Sequence, residues 1–143
     1  MTETIRVVGT EYASVITLLQ NECFPDDRWS EQSIRLLLSN PGGFGVVADG
    51  GFALGRAIVG EAELLSLGVW PEARGRGLGK ALLHRVISEA HLRGAEVLLL
   101  EVAVNNSIAI DLYHRCGFVA AGHRRDYYSD GQDAILLGLK LQK

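Results

Sequence analysis

Apolar residues along this chain switch between two periods, and the switches mark its elements. Thr4 to Val8 is short and β-rich. From Glu11 to Cys23 the apolar residues Val15, Leu18, Leu19 and Cys23 fall at helical spacing. Phe24-Pro25-Asp26-Asp27-Arg28-Trp29 breaks that helix, and Ser30 is placed to cap a second one with Ile34, Leu37 and Leu38 on its apolar side. Asn40-Pro41-Gly42-Gly43 reads as a turn, Phe44 to Asp49 as a strand, Gly50-Gly51 as a hairpin turn and Phe52 to Val59 as the antiparallel partner. A third strand is expected from Glu61 to Val69. Regular alternation sets Glu63, Leu65, Leu67 and Val69 on one of its faces and Ala62, Leu64, Ser66 and Gly68 on the other.

The second half repeats the change of period. Leu78, Leu82, Val86 and Ala90 recur at i+4 with Leu83 and Ile87 beside them, a long amphipathic helix that Gly94 stops. Val97 to Val104 is apolar on both alternating faces, the pattern of a strand covered on both sides. Strand, loop, helix and strand make a βαβ unit, so this strand should run parallel to Glu61–Val69. Asn105-Asn106-Ser107 opens a further helix through Ile108 and Leu112 to Cys116, with Gly117 at its end. Phe118 to Gly122 and Ala134 to Leu141 add strands, joined by Arg124-Arg125-Asp126-Tyr127-Tyr128 and a turn at Asp130-Gly131.

Composition narrows what this array can be. With 143 residues, 48% apolar and 22% charged, the chain has material for one well-buried core, so a single domain over 1–143 is expected. A net charge of −3 argues against a protein that coats nucleic acid, although basic residues cluster at Arg74 to Lys80 and at Arg124-Arg125. Cys23 and Cys116 are far apart without a C-x-x-C motif. That suits two reduced thiols in a cytoplasm better than a disulfide framework or a zinc site, while a bridge between them stays open. His84, His91, His114 and His123 show no metal-ligand spacing. No apolar run reaches about 18 residues and no charged-then-apolar leader is visible, so neither membrane insertion nor secretion is expected.

The candidate chemistry begins at Arg74-Gly75-Arg76-Gly77-Leu78-Gly79-Lys80, between the third strand and the long helix. Closely spaced glycines let backbone approach a bulky ligand and permit positive φ, which turns N–H groups inward. A helix start adds free N–H groups and a positive dipole end, so a phosphate or pyrophosphate is the expected guest, with Arg74, Arg76 and Lys80 adding charge. Ala81 after Lys80 excludes a P-loop, and Gly75-x-Gly77-x-Gly79 is not the G-x-G-x-x-G of a dinucleotide fingerprint. Glu101 is the other anomaly: a carboxylate in an apolar strand costs free energy unless it has a partner or a task. Two readings stand. Either it sits at the strand end in water or beside an arginine, or it is a general base raised by desolvation and fit to take a proton from an ammonium group. Tyr113 by itself reads as a core aromatic, and Trp29 fits either a core plug or the lining of a pocket.

The pattern R-x-x-G-x-G between strand and helix resembles the acyl-CoA pyrophosphate loop of the GNAT superfamily of N-acetyltransferases, and the order of elements resembles the GNAT fold. The run from Glu101-Val102 through Asn106, Ala109 and Leu112-Tyr113 to Gly117-Phe118 is similar to that superfamily's second conserved block. Glu22-Cys23-Phe24-Pro25 with Trp29-Ser30, and Arg125-Asp126-Tyr127-Tyr128 with Asp133-Ala134-Ile135, resemble the RimI-type enzymes, which acetylate the N-terminal alanine of a small-subunit ribosomal protein. The resemblance implies an α/β (α+β) GNAT fold, a mixed central sheet of about six to seven strands with about four flanking helices. It implies acetyl-CoA as cosubstrate and no metal. The binding residues would be Leu67 and Val69 on the third strand, Arg74, Gly75, Arg76, Gly77, Leu78, Gly79 and Lys80 in the loop, and Asn106. Glu101 matches the general base and Tyr113 the general acid, with Phe24, Trp29, Tyr127 and Tyr128 walling the acceptor slot. The acceptor would be a protein N-terminus, that of a ribosomal protein, in the cytoplasm. A monomer or weak dimer is implied, with no direct nucleic-acid binding and no membrane contact. The same chemistry on a small-molecule amine or a lysine side chain, and a non-catalytic acyl-CoA sensor, are the alternatives. Two departures touch the acceptor side: Trp70 stands before Pro71 where relatives often carry a small polar or acidic residue, and the segment from Pro41 to Arg56 is unusually rich in glycine.

Overall fold

The computed structural model describes residues 4–128 and 130–141. Seven strands form one mixed sheet: β1 (Arg6–Val8), β2 (Gly43–Ala48), β3 (Gly51–Ile58), β4 (Glu61–Val69), β5 (Val97–Ala103), β6 (Val119–Arg124) and β7 (Ala134–Lys140). Their spatial order is β1-β2-β3-β4-β5-β7-β6. The first four are antiparallel neighbours, β4 and β5 are parallel as the βαβ pattern requires, and β7 inserts antiparallel between β5 and β6. Four helices cover the sheet: α1 (Ala13–Cys23), α2 (Glu31–Ser39), α3 (Leu78–Leu92) and α4 (Ser107–Arg115). Ser30 caps α2 as expected, its hydroxyl accepting from Ser33 N–H at 3.0 Å.

Each face of the sheet has its own apolar layer. Leu78, Leu82, Leu83, Val86 and Ala90 of α3 and Tyr113 of α4 bury against Phe44, Val46, Ala53, Ala62, Leu64, Leu98, Leu100 and Val102. On the opposite face Ile16 and Leu19 of α1 and Ile34 and Leu38 of α2 bury against Val8, Val47, Phe52 and Leu54. The glycine-rich stretch from Pro41 to Arg56 belongs to this packing. A Cβ on Gly43 would lie 1.9 Å from the Leu37 carbonyl oxygen, and one on Gly55 2.6 Å from the Phe44 ring, so close approach fixes both residues.

Three expectations change. The buried stripe of α1 is Ala13, Ile16, Leu19 and Gln20, whereas Val15 and Leu18 face outward. A helix this apolar offers two plausible faces, and the docking partner selects one. β5 buries Leu98, Leu100 and Val102 on one face but only half-buries Leu99, Glu101 and Ala103 on the other. The regular alternation of β4 also fails: Leu54 pairs with Ser66 and Gly55 with Leu64, so Leu65 is an extra residue opposite the β3 ladder. This bulge reverses the side-chain parity. Ala62, Leu64, Leu67 and Val69 consequently share the α3 face, while Leu65, Ser66 and Gly68 turn toward α1.

Candidate active site

β4 runs through the turn Pro71–Ala73 into the glycine loop and then α3. Gly75 and Gly77 have φ of +82° and +77°, the left-handed region that side chains disfavour. Gly77 is the N-cap of α3 and offers no side chain to its first turn. The first helical bond runs from Ala81 N–H to Gly77 O at 3.1 Å, and the N–H groups from Gly75 to Lys80 donate to no described acceptor. A run of free amides at a helix start is a receptor for an anion. Leu78 buries its side chain in the core, so its N–H is the part it can offer. Gly79 differs from Gly75 and Gly77, since it lies inside α3 and a Cβ there would meet Leu112 and Val69 at an ordinary 3.8 Å. Arg74 turns back, its Nε donating to Val69 O at 3.0 Å, and Arg76 Nε donates to Ala73 O at 3.4 Å.

Parallel pairing of β4 with β5 ends at Leu64 and Leu100. Beyond it the two strands part, which leaves one edge of residues 65–69 without a ladder partner. Trp70 N–H donates to Gly50 O at 2.8 Å on the β3 side. Amides alternate sides along a strand, so those of Leu67 and Val69 face the gap. The loop of free N–H groups stands at the open end of this gap, and Asn106 stands at the start of α4, where its Oδ1 accepts from Ala109 N–H at 3.2 Å.

Glu101 follows the parting point immediately. Its side chain is 22% exposed, with Arg124 Nε 2.9 Å from Oε2. Oε2 is shielded from solvent and accepts no aligned hydrogen bond, so that contact is a charge pairing without a directed N–H. The Tyr127 hydroxyl lies 3.4 Å from Oε1, and the Arg124 guanidinium lies 5.6 Å from the centre of the Tyr127 ring. The arginine partner that one sequence reading allowed is therefore present, and Glu101 still borders the gap. Tyr127 and Tyr128 meet edge to face with ring centres 5.0 Å apart. Burial pushes the Tyr128 phenol up to about 12, with Tyr127, Glu101, Asp27 and Asp130 adding to the rise. Burial also pushes the Tyr113 phenol up to about 12, and Tyr128 contributes. Tyr113 packs on Phe118 at 5.7 Å and stays a neutral O–H donor at any ordinary pH. Tyr128 is thus within electrostatic reach of both Glu101, on one face of β5, and Tyr113, which packs in the layer on the other.

Two connections hold these aromatics. In the β6–β7 loop Asp133 accepts from Asp126 N–H at 2.9 Å and pairs with His123 at 2.7 Å; that backbone bond first, then His123, holds its carboxyl below the usual range. Between α1 and α2, buried Gln20 donates to Asp27 O at 3.1 Å and accepts from Ser66 at 2.6 Å. Asn21 clamps the Trp29 backbone at 2.9 and 3.1 Å. Phe24 and Trp29 pack on the α1–α2 core, and Asp27 is the residue of their loop whose charge reaches Tyr128. Gln20 had no distinctive sequence signal, and Arg124 and Asp133, although they stood in a basic pair and a family-like stretch, carried no sign of the partners they meet across the fold.

Among the described residues no group of three or more His, Cys, Asp or Glu could hold a metal ion, and no helix is long and apolar enough to cross a membrane. Residues 13–118 match the sequence profile of the acetyltransferase (GNAT) family. The chain is similar to ribosomal protein bS18-alanine N-acetyltransferase of Escherichia coli strain K12, 42% identical over 93 residues, and the match spans 63% of the length of each chain. It is 37% identical over 122 residues to N-alpha-acetyltransferase RimI of Mycobacterium tuberculosis, covering 78% of this chain and 75% of that one. Among solved structures, ribosomal-protein-S18-alanine N-acetyltransferase from Escherichia coli superposes with a TM-score of 0.87 at 32% identity, covering 99% of this chain and 96% of the other. Ard1 from Thermoplasma volcanium superposes at 0.86 with 23% identity over the whole of both chains, a likeness of fold.

Proposed function

The chain belongs to the acetyltransferase (GNAT) family, and on that premise we propose that it transfers an acetyl group from acetyl-CoA to the N-terminal α-amino group of a protein. The acceptor we infer is the N-terminal alanine of a small-subunit ribosomal protein in the cytoplasm, the class of substrate in the names of its Escherichia coli relatives. The observation that carries the reading is the continuity of the site. Unpaired N–H groups from Gly75 to Lys80 follow β4 where it has left β5, Glu101 follows the parting point on β5, and Tyr128 is within electrostatic reach of both Glu101 and Tyr113.

Bound acetyl-CoA supplies the activated thioester. The loop amides hold its pyrophosphate, and the gap-facing amides of Leu67 and Val69 bind the pantetheine arm and polarise the carbonyl. Glu101 takes a proton from the acceptor ammonium, which frees the amine to attack. As the new C–N bond forms and the C–S bond breaks, Tyr113 gives its phenolic proton to the departing thiolate sulfur, and the second proton of the acetylated nitrogen is released to solvent, from which the phenol is restored. Orientation of the two reactants in one slot supplies much of the rate.

The deciding assay compares matched peptides: one with a free N-terminal alanine, one with a blocked N-terminus and internal lysines, and free polyamines as a third arm. Fastest turnover is expected for the first. Faster acetylation of lysine or polyamine rejects the N-terminal acceptor, and acetyl-CoA binding without turnover in any arm assigns the chain as an acyl-CoA sensor.

A further inference from the structure

Glu63 takes no part in the steps above, yet it stands beside the reacting end of the gap. It lies on β4 one residue before the strands part, and its register partner on β5 is Leu99, two positions before Glu101. Register partners in a parallel ladder point to one face, as do residues i and i+2. Glu63 and Glu101 therefore emerge on the same face, from two strands that then diverge. Each carboxylate has an arginine on its outer side: Arg56 Nη2 is 2.7 Å from Glu63 Oε1, and Arg124 Nε is 2.9 Å from Glu101 Oε2. Arg56 comes from β3 and Arg124 from β6, so the two pairs approach from opposite directions. Glu63 Oε2 has no described partner, and Tyr127 points its hydroxyl at Glu101 Oε1 from 3.4 Å. The Tyr127 phenol is raised by burial first and by Glu101 next, with a smaller push from Glu63.

We propose that Glu63 is an acceptor-binding residue that, together with Glu101, clamps the α-ammonium group of the incoming chain before Glu101 takes its proton. This rests on the acetyl-transfer reading. An ammonium group has three N–H donors directed apart, and a single carboxylate leaves it free to turn. Two carboxylates from diverging strands fix its direction while leaving one N–H for transfer. Tyr127 marks the place, since its hydroxyl already donates to Glu101, and a charged donor displaces a neutral one. Arg56 then holds Glu63 in position without entering the slot.

The test uses two peptides identical except that one begins with alanine and the other with a propionyl group, the same shape without the amine. Binding of both in the presence of CoA, and acetylation of the first, are measured for the wild-type chain, Glu63→Gln and Glu63→Asp. Glu63→Gln keeps an oxygen for Arg56 but loses the charge. We expect its KM for the alanine peptide to rise about 10-fold, its kcat to stay within about 3-fold, and its preference for the amine over the propionyl peptide to narrow by about 10-fold. Acetyl-CoA affinity and Tm should not change, and Glu63→Asp should retain most of the preference. A Glu63→Gln variant with the wild-type preference, an equal loss for both peptides, or Glu63→Asp behaving like Glu63→Gln overturns the clamp. Wild-type protein that acetylates no free N-terminus overturns the acetyl-transfer reading itself, and the clamp with it.

Discussion

At the scale of single residues the two groups proposed to react differ in how they are prepared. Glu101 is set by company, between the Arg124 guanidinium and the Tyr127 hydroxyl, whereas Tyr113 is set by burial. If Glu101 is the base, Glu101→Gln should lower kcat by about 10²–10⁴-fold and leave acetyl-CoA affinity nearly intact, with partial recovery as rising pH deprotonates the free amine. Turnover equal to wild type would make Glu101 structural. Tyr113→Phe is the matching test of the acid. Tyr113 also carries a stability prediction. Its folded-state phenol, pushed to about 12, lies above the ordinary value of 10.0, so the folded chain keeps a proton that the unfolded chain has released. The associated stability is whole below pH 10 and is lost as pH rises toward 12, a change of about 2–3 kcal/mol if no other group compensates. Thermal melts across that range should show wild type losing more stability than Tyr113→Phe, in which only the raised phenols of Tyr127 and Tyr128 still contribute a loss.

At the scale of elements the loop and the helix it opens act as one device. Gly77 caps α3 with left-handed backbone and open space around its Cα, so the obstacle to a side chain is conformation and not room. Gly77→Ala should therefore disturb the aim of the following N–H groups and weaken acetyl-CoA binding at least about 10-fold, with a backbone cost of roughly 1–3 kcal/mol. Gly79 gives the contrast. Its backbone is helical and a methyl group finds ordinary contacts, so Gly79→Ala should hold its affinity and gain about 0.5–1 kcal/mol of stability. Titration calorimetry with thermal melts separates the two outcomes. Equal affinity loss in both variants would mean that the cradle tolerates no added bulk, independent of φ.

At the scale of the molecule the sheet separates two layers with distinct duties. The α3–α4 layer presents the loop and Tyr113, and the α1–α2 layer carries the connection that brings Asp27 near Tyr128. Gln20 joins that second layer to β4: it reaches Ser66 just past the bulge and the backbone of Asp27 at once. Gln20→Ala should leave both partners unsatisfied and cost about 1–3 kcal/mol. Its kinetic signature should be a raised KM for the peptide with acetyl-CoA affinity unchanged, measured by steady-state kinetics beside calorimetry. A loss confined to acetyl-CoA binding would place Gln20 in the wrong half of the site.

The linear chain by itself determined the order of elements, the buried face of α3, the parallel partnership of β4 and β5 and the loop between them. These are local properties: Leu78, Leu82, Val86 and Ala90 share one helix face at i+4 intervals, and Gly75 and Gly77 turn the backbone through their own φ angles. Glu101 was also legible as a candidate, because a carboxylate in an apolar strand is costly anywhere, whereas Tyr113 read as a core aromatic and became a candidate only through the family resemblance. Only the tertiary structure decided which side of α1 is buried, that Leu65 bulges and exchanges the faces of β4, and that Gly79 is helical where Gly75 and Gly77 are left-handed. It alone set Arg124 and Tyr127 against Glu101, and Arg56 and Glu63 on the same face. A hydrophobic period records that a residue is buried, but not against what; the bulge and the ion pairs depend on strands brought together from distant parts of the chain, and no local pattern carries that distance.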